Sequence, residues 1–490
     1  MDQPAELFDT AAARRIDAQA TAALEGDGYA LMRRAGQAAW QCVLQQWPQA
    51  RRIVVVCGPG NNGGDGYVVA RLAHQSGREA CVLHLPGQAP RTPLAQCACT
   101  DYLAIGGKVE VAATCLRGAD LIVDALFGIG LSRAADAASA ELIDAVNAAG
   151  IPVLALDVPS GVDADTGAVP GAAIRADCVL QFIVGHRGLH TGQALEHAGR
   201  RLLAGLDVPA EAFAGVEAAA WRWDGSALPA LLPPRRLNTH KGESGHVLCL
   251  GGNHGSGGAV LLCAEAALRS GAGLVSVATH AAHVAPLLAR CPEAMAHAVA
   301  DAFDLVPLLA RAGAVALGPG LGQDEWARHL WSAALDSGKP LVVDADALNL
   351  LALQPRPLAQ AVLTPHPGEA ARLLGIDTAA VQRDRYAAAR AMAGRFSATV
   401  VLKGAGTVVA APGRLPRVIA AGNPGMAVGG MGDLLTGVIA ALLAQGLAPL
   451  DAASGGALLH GLAGDAAARQ GQRGLLPRDL LPHLRALANP

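Results

Sequence analysis

Charge is scarce in this chain. Asp, Glu, Lys and Arg make up only 16% of 490 residues, and the formal net charge is −3. No basic run occurs, which sets nucleic acid aside as a partner, because phosphate backbones are bound by clustered cations. The 10 cysteines are scattered. Their one close pair, Cys97-x-Cys99, lacks the spacing of a zinc site, and no H-E-x-x-H is present. They read as reduced, buried thiols of a cytoplasmic protein. The pattern G-x-x-x-x-G-K-[ST] is missing too, so this is not a P-loop enzyme. No stretch reaches the roughly 20 apolar residues that span a bilayer. The uncharged, strongly apolar one from Leu434 to Leu450 is interrupted by Thr, Gln, Gly and Pro and reads as a buried helix. The opening "MDQPAELFDTAAARRIDAQA" is acidic and polar, unlike a signal peptide.

Hydrophobic residues, by contrast, make up 52%, enough for a large covered core. A chain of 490 residues exceeds the size of a single core, so two domains are expected. Strand-like apolar runs alternate with helical segments in both halves. "RIVVVCG", "EACVLHL", "LIVDALFG", "PVLALDVPSG" and "CVLQFIVG" come first. "HVLCLGG", "GLVSVATH", "AVALGPGLG", "PLVVDADALN", "AVLTPHPGE" and "TVVLKGAGTVVAA" follow. This alternation predicts an α/β protein with mostly parallel sheets covered on both faces. The stretch around Pro233-Pro234-Arg235-Arg236 lacks periodicity and reads as a connection. We therefore expect a boundary near residues 210 to 225, with domains at 1–215 and 225–490. The halves share no glycine pattern and are not repeats.

"IVVVCGPGNNGGDGYVVAR" (Ile53 to Arg71) contains G-x-G-x-x-G at Gly58, Gly60 and Gly63. Strand, tight turn and helix suit an anion at the helix N-terminus. A dehydrogenase fingerprint also needs an acid at the end of the next strand. Here that strand ends in His84-Leu85-Pro86, while Asn61, Asn62 and Asp65 crowd the loop with oxygens that phosphate does not need. An ordinary coenzyme site and a structural turn are the competing readings. Asp124, Asp157 and Ser160 follow other strands of the same half. Either acid alone could simply cap a helix or turn. Three such loops together suggest a site, and their oxygens suit a hard cation.

"GPGNNGGDG", "VDALFGIGL" and "LDVPSGVDADTG", in this order, resemble the NAD(P)H-hydrate epimerase family over roughly residues 8 to 210. The resemblance implies a Rossmann-like three-layer domain acting on the hydrated nicotinamide ring of NADHX and NADPHX. It implies substrate contacts at Asn61, Asn62, Gly63, Gly64, Asp65, Gly128, Ile129, Gly130, Leu131, Ser132, Arg133, Ala134 and Asp157. Asn62, Asp124 and Ser160 would hold a potassium ion, K+. Exchange at a hydroxyl-bearing carbon needs a proton carrier. Asp157 is the first choice and Asp124 the second, because a metal-bound carboxylate is a poorer base.

In the second half, Gly429, Gly430 and Gly432 precede a helix opening at about Asp433 in "GNPGMAVGGMGDLLTG". Their N–H groups would form an anion hole, and Asp433 could take a proton from an attacking hydroxyl. The competing reading is a glycine-rich helix entry with Asp as cap. Lys403 to Thr407 form a tight turn suited to nucleotide phosphates. His366, with Glu369, sits after a strand, where a packed histidine is the alternative. Lys241 precedes another. With "GPGLG" and "DADALN", these segments resemble the NAD(P)H-hydrate dehydratase family of the ribokinase-like superfamily, from about residue 225 onward.

That resemblance implies hydrate contacts at Ala259, Gly322, His366 and Asp433. It implies adenine nucleotide contacts at Lys403, Gly404, Ala405, Gly406, Thr407 and Gly432. The implied reaction phosphorylates the ring hydroxyl of the S epimer and then eliminates phosphate. ADP is the expected donor, with Mg2+, although ATP would offer the same α and β phosphates. A homo-oligomer is expected. A vitamin or sugar kinase with a nucleotide-binding regulatory domain is the competing function. A non-catalytic nucleotide-sensing scaffold would have no need of Asp157 or Asp433.

Overall fold

The computed structural model describes residues 5–111, 113–130 and 133–490. It divides into two compact units, Glu6–Ala220 and essentially Trp221–Pro490. The expected α/β class with mostly parallel sheets is what both units show.

The first unit has a seven-stranded sheet. Its order is Lys108–Glu110, Glu79–Leu83, Arg52–Cys57, Leu121–Ala125, Val153–Leu156, Cys178–Phe182, Arg200–Ala204, all parallel. Counted along the chain this is 3-2-1-4-5-6-7, the Rossmann order. The chain reverses direction across the sheet between Arg52–Cys57 and Leu121–Ala125, and ligands collect at such a switch point. Alternate residues of one strand serve two cores. Ile53, Val55 and Cys57 join one apolar cluster, and Val54 and Val56 join the other. That split follows from the two-residue period of a strand covered on both faces. A short strand, Ala5–Phe8, pairs in parallel with Gly185–His186, setting Phe8 opposite His186.

In the second unit the order is Met295–Ala298, Leu274–Thr279, His246–Leu250, Ala314–Leu317, Leu341–Val343, Ala361–Leu363, Thr399–Leu402, Val408–Ala410, Arg417–Ile419 and Ala220–Trp223. Only the pairings of Val408–Ala410 with its two neighbours are antiparallel. The apolar stretch from Leu434 is indeed a buried helix, Met431–Ala444, which stops before Gly446 and gives way to a second helix, Pro449–Ala467. The expected connection is more structured than its sequence suggests. Trp221–Trp223 pair with Arg417–Ile419, and the Arg417 guanidinium lies 4.2 Å from the centre of the buried Trp223 ring. Among the described residues no helix is long and apolar enough to cross a membrane.

Candidate functional sites

The glycine burst is a packing device before it is anything else. A Cβ on Gly58 would lie 1.8 Å from the Leu126 carbonyl oxygen, and one on Gly63 would lie 1.9 Å from that of Gly58. Only glycine lets this turn close against the end of Leu121–Ala125. The structure corrects one detail of the sequence reading: Asn61, Asn62, Gly63, Gly64 and Asp65 are not a loop. They open the helix Asn61–Gln75, whose N-cap, Gly60, offers no side-chain cap. The N–H groups of that first turn are therefore left for a ligand.

Above this helix end lies a cavity of about 710 Å³. Asn61, Asn62, Asp65, Gly128, Ile129, Gly130, Arg133 and Asp157 line it, as expected residues. Gly63, Gly64 and Ala134 do not, and Leu131 and Ser132 lie outside the described residues. Arg14, Asp17 and His186 also line it, which the sequence reading missed. Arg14 and Asp17 sit on the helix Thr10–Ala23. The Thr10 N–H and hydroxyl hold that helix end to Asp165 at 2.7 and 2.8 Å. Burial pushes the Asp65 carboxyl well up, and the charges of Asp157 and Asp17 add to it. Burial, then the Asp157 charge, also raises Asp17.

Asp124 and Ser160 do not line the cavity but lie together, both 1% exposed. The Ser160 hydroxyl donates to Asp124 Oδ1 at 2.6 Å, and its N–H donates to Oδ2 at 2.8 Å. The same hydroxyl lies 2.8 Å from the Phe127 N–H and 3.2 Å from the Phe127 carbonyl. Burial pushes Asp124 up to about 6, against the lowering effect of those Ser160 bonds. The Asn62 amide nitrogen is buried and has no partner among the described residues. Amide nitrogen and oxygen are told apart only by their partners, so turning this group presents an oxygen instead. One carboxylate with amide, hydroxyl and carbonyl oxygens could hold a hard cation of low charge.

The second constellation lies beyond the carboxyl ends of the parallel strands in the other unit. The helix Met431–Ala444 begins at Gly430, with φ 93° and no side-chain cap. Its first-turn N–H groups are thus open to an anion, and Asp433 stands in that turn. Burial pushes Asp433 up to about 7, helped by the nearby charge of Asp344 and opposed by Lys403. Lys403 Nζ lies 2.7 Å from Asp344 Oδ1 and 3.9 Å from Glu369 Oε2. Thr436 donates to Asp344 Oδ2 at 2.8 Å. Burial works against the charge on both Lys403 and Asp344, but the pair prevails: Lys403 is held above its usual range and Asp344 below it. A Cβ on Gly432 would lie 3.2 Å from Lys403 Nζ, so that glycine borders the ammonium directly.

Gly404, Ala405, Gly406 and Thr407 form the turn after Thr399–Leu402, closed by the Thr407 hydroxyl on the Gly404 carbonyl at 3.1 Å. The buried Arg385 braces it, donating to the Leu402 and Lys403 carbonyls, each at 3.1 Å. His366 caps the helix Pro367–Leu374, and its Nδ1 accepts the Gly368 N–H at 3.0 Å. That bond leaves Nε2 as the protonated nitrogen of a neutral ring. Burial and then Lys403 lower its affinity for a second proton. The Gly322 N–H donates to Asp346 at 2.8 Å. Ala259, on the helix Gly257–Arg269, lies beside Gly320 of the same loop. Asp344, Asp346, Arg385 and Thr436 were not singled out from sequence, although "DADALN" contains the first two. A larger cavity of about 1160 Å³, among Arg235, Arg269 and Arg485, lies at the opposite ends of the strands and holds none of these residues.

Comparison with known proteins covers both units. A family model described as NAD(P)H-hydrate dehydratase matches residues 247–485, and one described as YjeF-related protein N-terminus matches residues 28–188. The bifunctional NAD(P)H-hydrate repair enzyme Nnr of Coxiella burnetii is 46% identical over 467 residues, 94% of this chain and 95% of its own. The enzyme of that name from Escherichia coli is 45% identical, covering 97% of this chain and 93% of its own. A solved ribokinase-like superfamily protein from Enterococcus faecalis is 32% identical, with TM-score 0.51, covering 55% of this chain and 94% of that one. Likeness at this level, across nearly the whole length and in both units, places the chain in the family of bifunctional NAD(P)H-hydrate repair enzymes.

Proposed function

We propose a division of labour for this repair enzyme. The first unit interconverts the R and S hydrates of NADH and NADPH, and the second returns the S form to the dihydronicotinamide using ADP. The observation that carries the reading is Asp433, raised to about 7 at the uncapped start of Met431–Ala444 beside Lys403. A base of that affinity is matched to neutral pH. Asp433 takes the proton of the ring hydroxyl as its oxygen attacks the β-phosphorus of ADP, and AMP leaves. The first-turn N–H groups and Lys403 meet the charge on the transferring phosphoryl group. Phosphate then departs with its bonding electrons, a neighbouring ring carbon loses a proton, and the double bond forms.

Lys403, Gly404, Ala405, Gly406, Thr407 and Gly432 hold the adenine nucleotide, accompanied by Mg2+. Ala259, Gly322 and His366 hold the hydrate. Both family models, one on each half, favour this over the kinase with a regulatory domain. The test adds protein and ADP or ATP to mixed NADHX epimers and follows the return of NADH absorbance. Recovery with ADP is expected. No recovery, with phosphorylation of a small alcohol by ATP, would favour the kinase.

In the first unit, Asp157 takes the hydroxyl proton as a carbonyl forms and the C–N bond of that carbon opens, its electron pair going to the ring nitrogen. The nitrogen then closes on the other face of the carbonyl and the proton returns to oxygen. Both oxygens of Asp124 are engaged by Ser160, which makes Asp124 the poorer base. Bound at Asn62, Asp124 and Ser160, K+ would supply a fixed positive charge that offsets the Asp124 carboxylate. Replacing Asp124 by Ala removes the only charged donor of that set. Epimerase activity and dinucleotide binding to the first unit should fall together, by roughly 10–100-fold. Dehydratase turnover by the same variant serves as the control and stays normal. Unchanged binding, with the ion still held in a crystal of the variant, contradicts the assignment.

A further inference from the structure

We infer that His186 is a positioning residue of the epimerase, fixing one oxygen of Asp157 so that the other faces the hydrated ring. The inference rests on Asp157 being the proton carrier. His186 is 1% exposed, and its Nε2 lies 2.8 Å from Asp157 Oδ1. The Phe182 N–H reaches the same oxygen at 3.3 Å. Both donors converge on Oδ1, and Asp157 lines the cavity with 15% of its side chain exposed. Oδ2 is the oxygen left to a ligand.

The backbone is bent to make this contact. Asp157 has φ 64°, directly after the strand Val153–Leu156, and Ile183 has φ 64°, directly after Cys178–Phe182. Aspartate tolerates the left-handed region, but a β-branched residue there is strained. The bend at Ile183 lies between Phe182 and His186, the two donors to Asp157. The backbone that carries the imidazole is anchored as well. The His186 main-chain N–H donates to Gln181 Oε1 at 2.7 Å, and Gly185–His186 pairs with Leu7–Phe8.

The state of the ring follows from its partners. Nδ1 is buried and meets no partner among the described residues. A lone pair there costs less than an unpaired N–H. A ring proton therefore sits on Nε2 and is donated to the carboxylate in that hydrogen bond. His186 keeps that proton, and Asp157 alone exchanges one with the substrate. The His186 ring sets the angle of the carboxylate, and misplacement of a reacting group by about 1 Å can cost about 10²-fold in rate.

Three variants of the full chain test this, read as kcat and KM for R–S exchange without nucleotide. His186→Leu removes the donor, and we expect kcat to fall roughly 10–100-fold with KM held within about 2-fold. His186→Gln places an amide nitrogen where Nε2 stood and restores kcat to within about 3-fold of the parent. His186→Asn places its nitrogen where Nδ1 stood, out of reach of Asp157, and does not restore it. A purely structural histidine would not separate Gln from Asn in this way. If His186→Leu fails to fold, the Gln and Asn pair decides. Equal kcat for Gln and Asn, or a parental kcat for Leu, overturns the role of His186. A parental rate for Asp157→Asn would instead overturn the reading of Asp157 on which it rests.

Discussion

Asp433→Asn should lower dehydratase kcat by roughly 10²–10⁴-fold, while R–S exchange by the same protein continues at the parental rate. Asparagine keeps the size of the side chain in the first turn of Met431–Ala444 but has no basic oxygen for the hydroxyl proton. The uncapped N–H groups, Lys403 and the Lys403–Thr407 turn stay in place, so nucleotide affinity should change little. The parent enzyme carries a matching pH signature. Asp433 must be ionised to act, and burial and Asp344 raise its proton affinity to about 7. Dehydratase kcat/KM should fall about tenfold per unit as pH drops below that value and level off above it. Normal turnover by purified Asp433→Asn, or a flat profile between pH 5 and about 8, would remove Asp433 as the base.

The second large effect lies in the other unit. Asp157→Asn should slow R–S exchange by roughly 10²–10⁴-fold and leave S-specific dehydration intact. Asparagine is well suited as a probe here. It tolerates the left-handed backbone at φ 64° as aspartate does, and its carbonyl oxygen can still accept from His186 and Phe182. Folding and cavity shape are thereby kept while the proton acceptor is lost. An Asp157→Asn protein that exchanges epimers at the parental rate would point instead to another acid of the cavity, Asp65 or Asp17.

The central strands were legible because two covered faces demand unbroken apolar runs, as in Ile53–Cys57 and Val400–Leu402. Strands at the margins gave no such run. Lys108–Glu110 and Met295–Ala298 are partly exposed, and Arg200–Ala204 begins with two arginines. The sequence from Asn61 to Asp65 looked like a loop because glycine and asparagine are weak helix formers. The close approach of Gly58, Gly63 and Leu126 outweighs that preference. Strand-end acids such as Asp124 and Asp157 stood out beside glycines. Their partners did not. His186 is 29 residues from Asp157, and Lys403 is 59 from Asp344. Nothing local in the chain marks either pair, because each becomes one group only when strands meet across a sheet.

One chain should carry two separable activities, one supplying the other with the S epimer. The most direct test uses two full-length variants, Asp157→Asn and Asp433→Asn, with ADP and an equal mixture of the hydrates. Asp157→Asn alone should consume the S half quickly and then slow to the rate of spontaneous epimerisation. Asp433→Asn alone should regenerate NADH roughly 10²–10⁴-fold more slowly than the parent. Mixed together, they should clear the whole pool at a rate near that of the parent. Rapid clearance of both epimers by Asp157→Asn alone, or a mixture that still stalls at one half, would contradict the account.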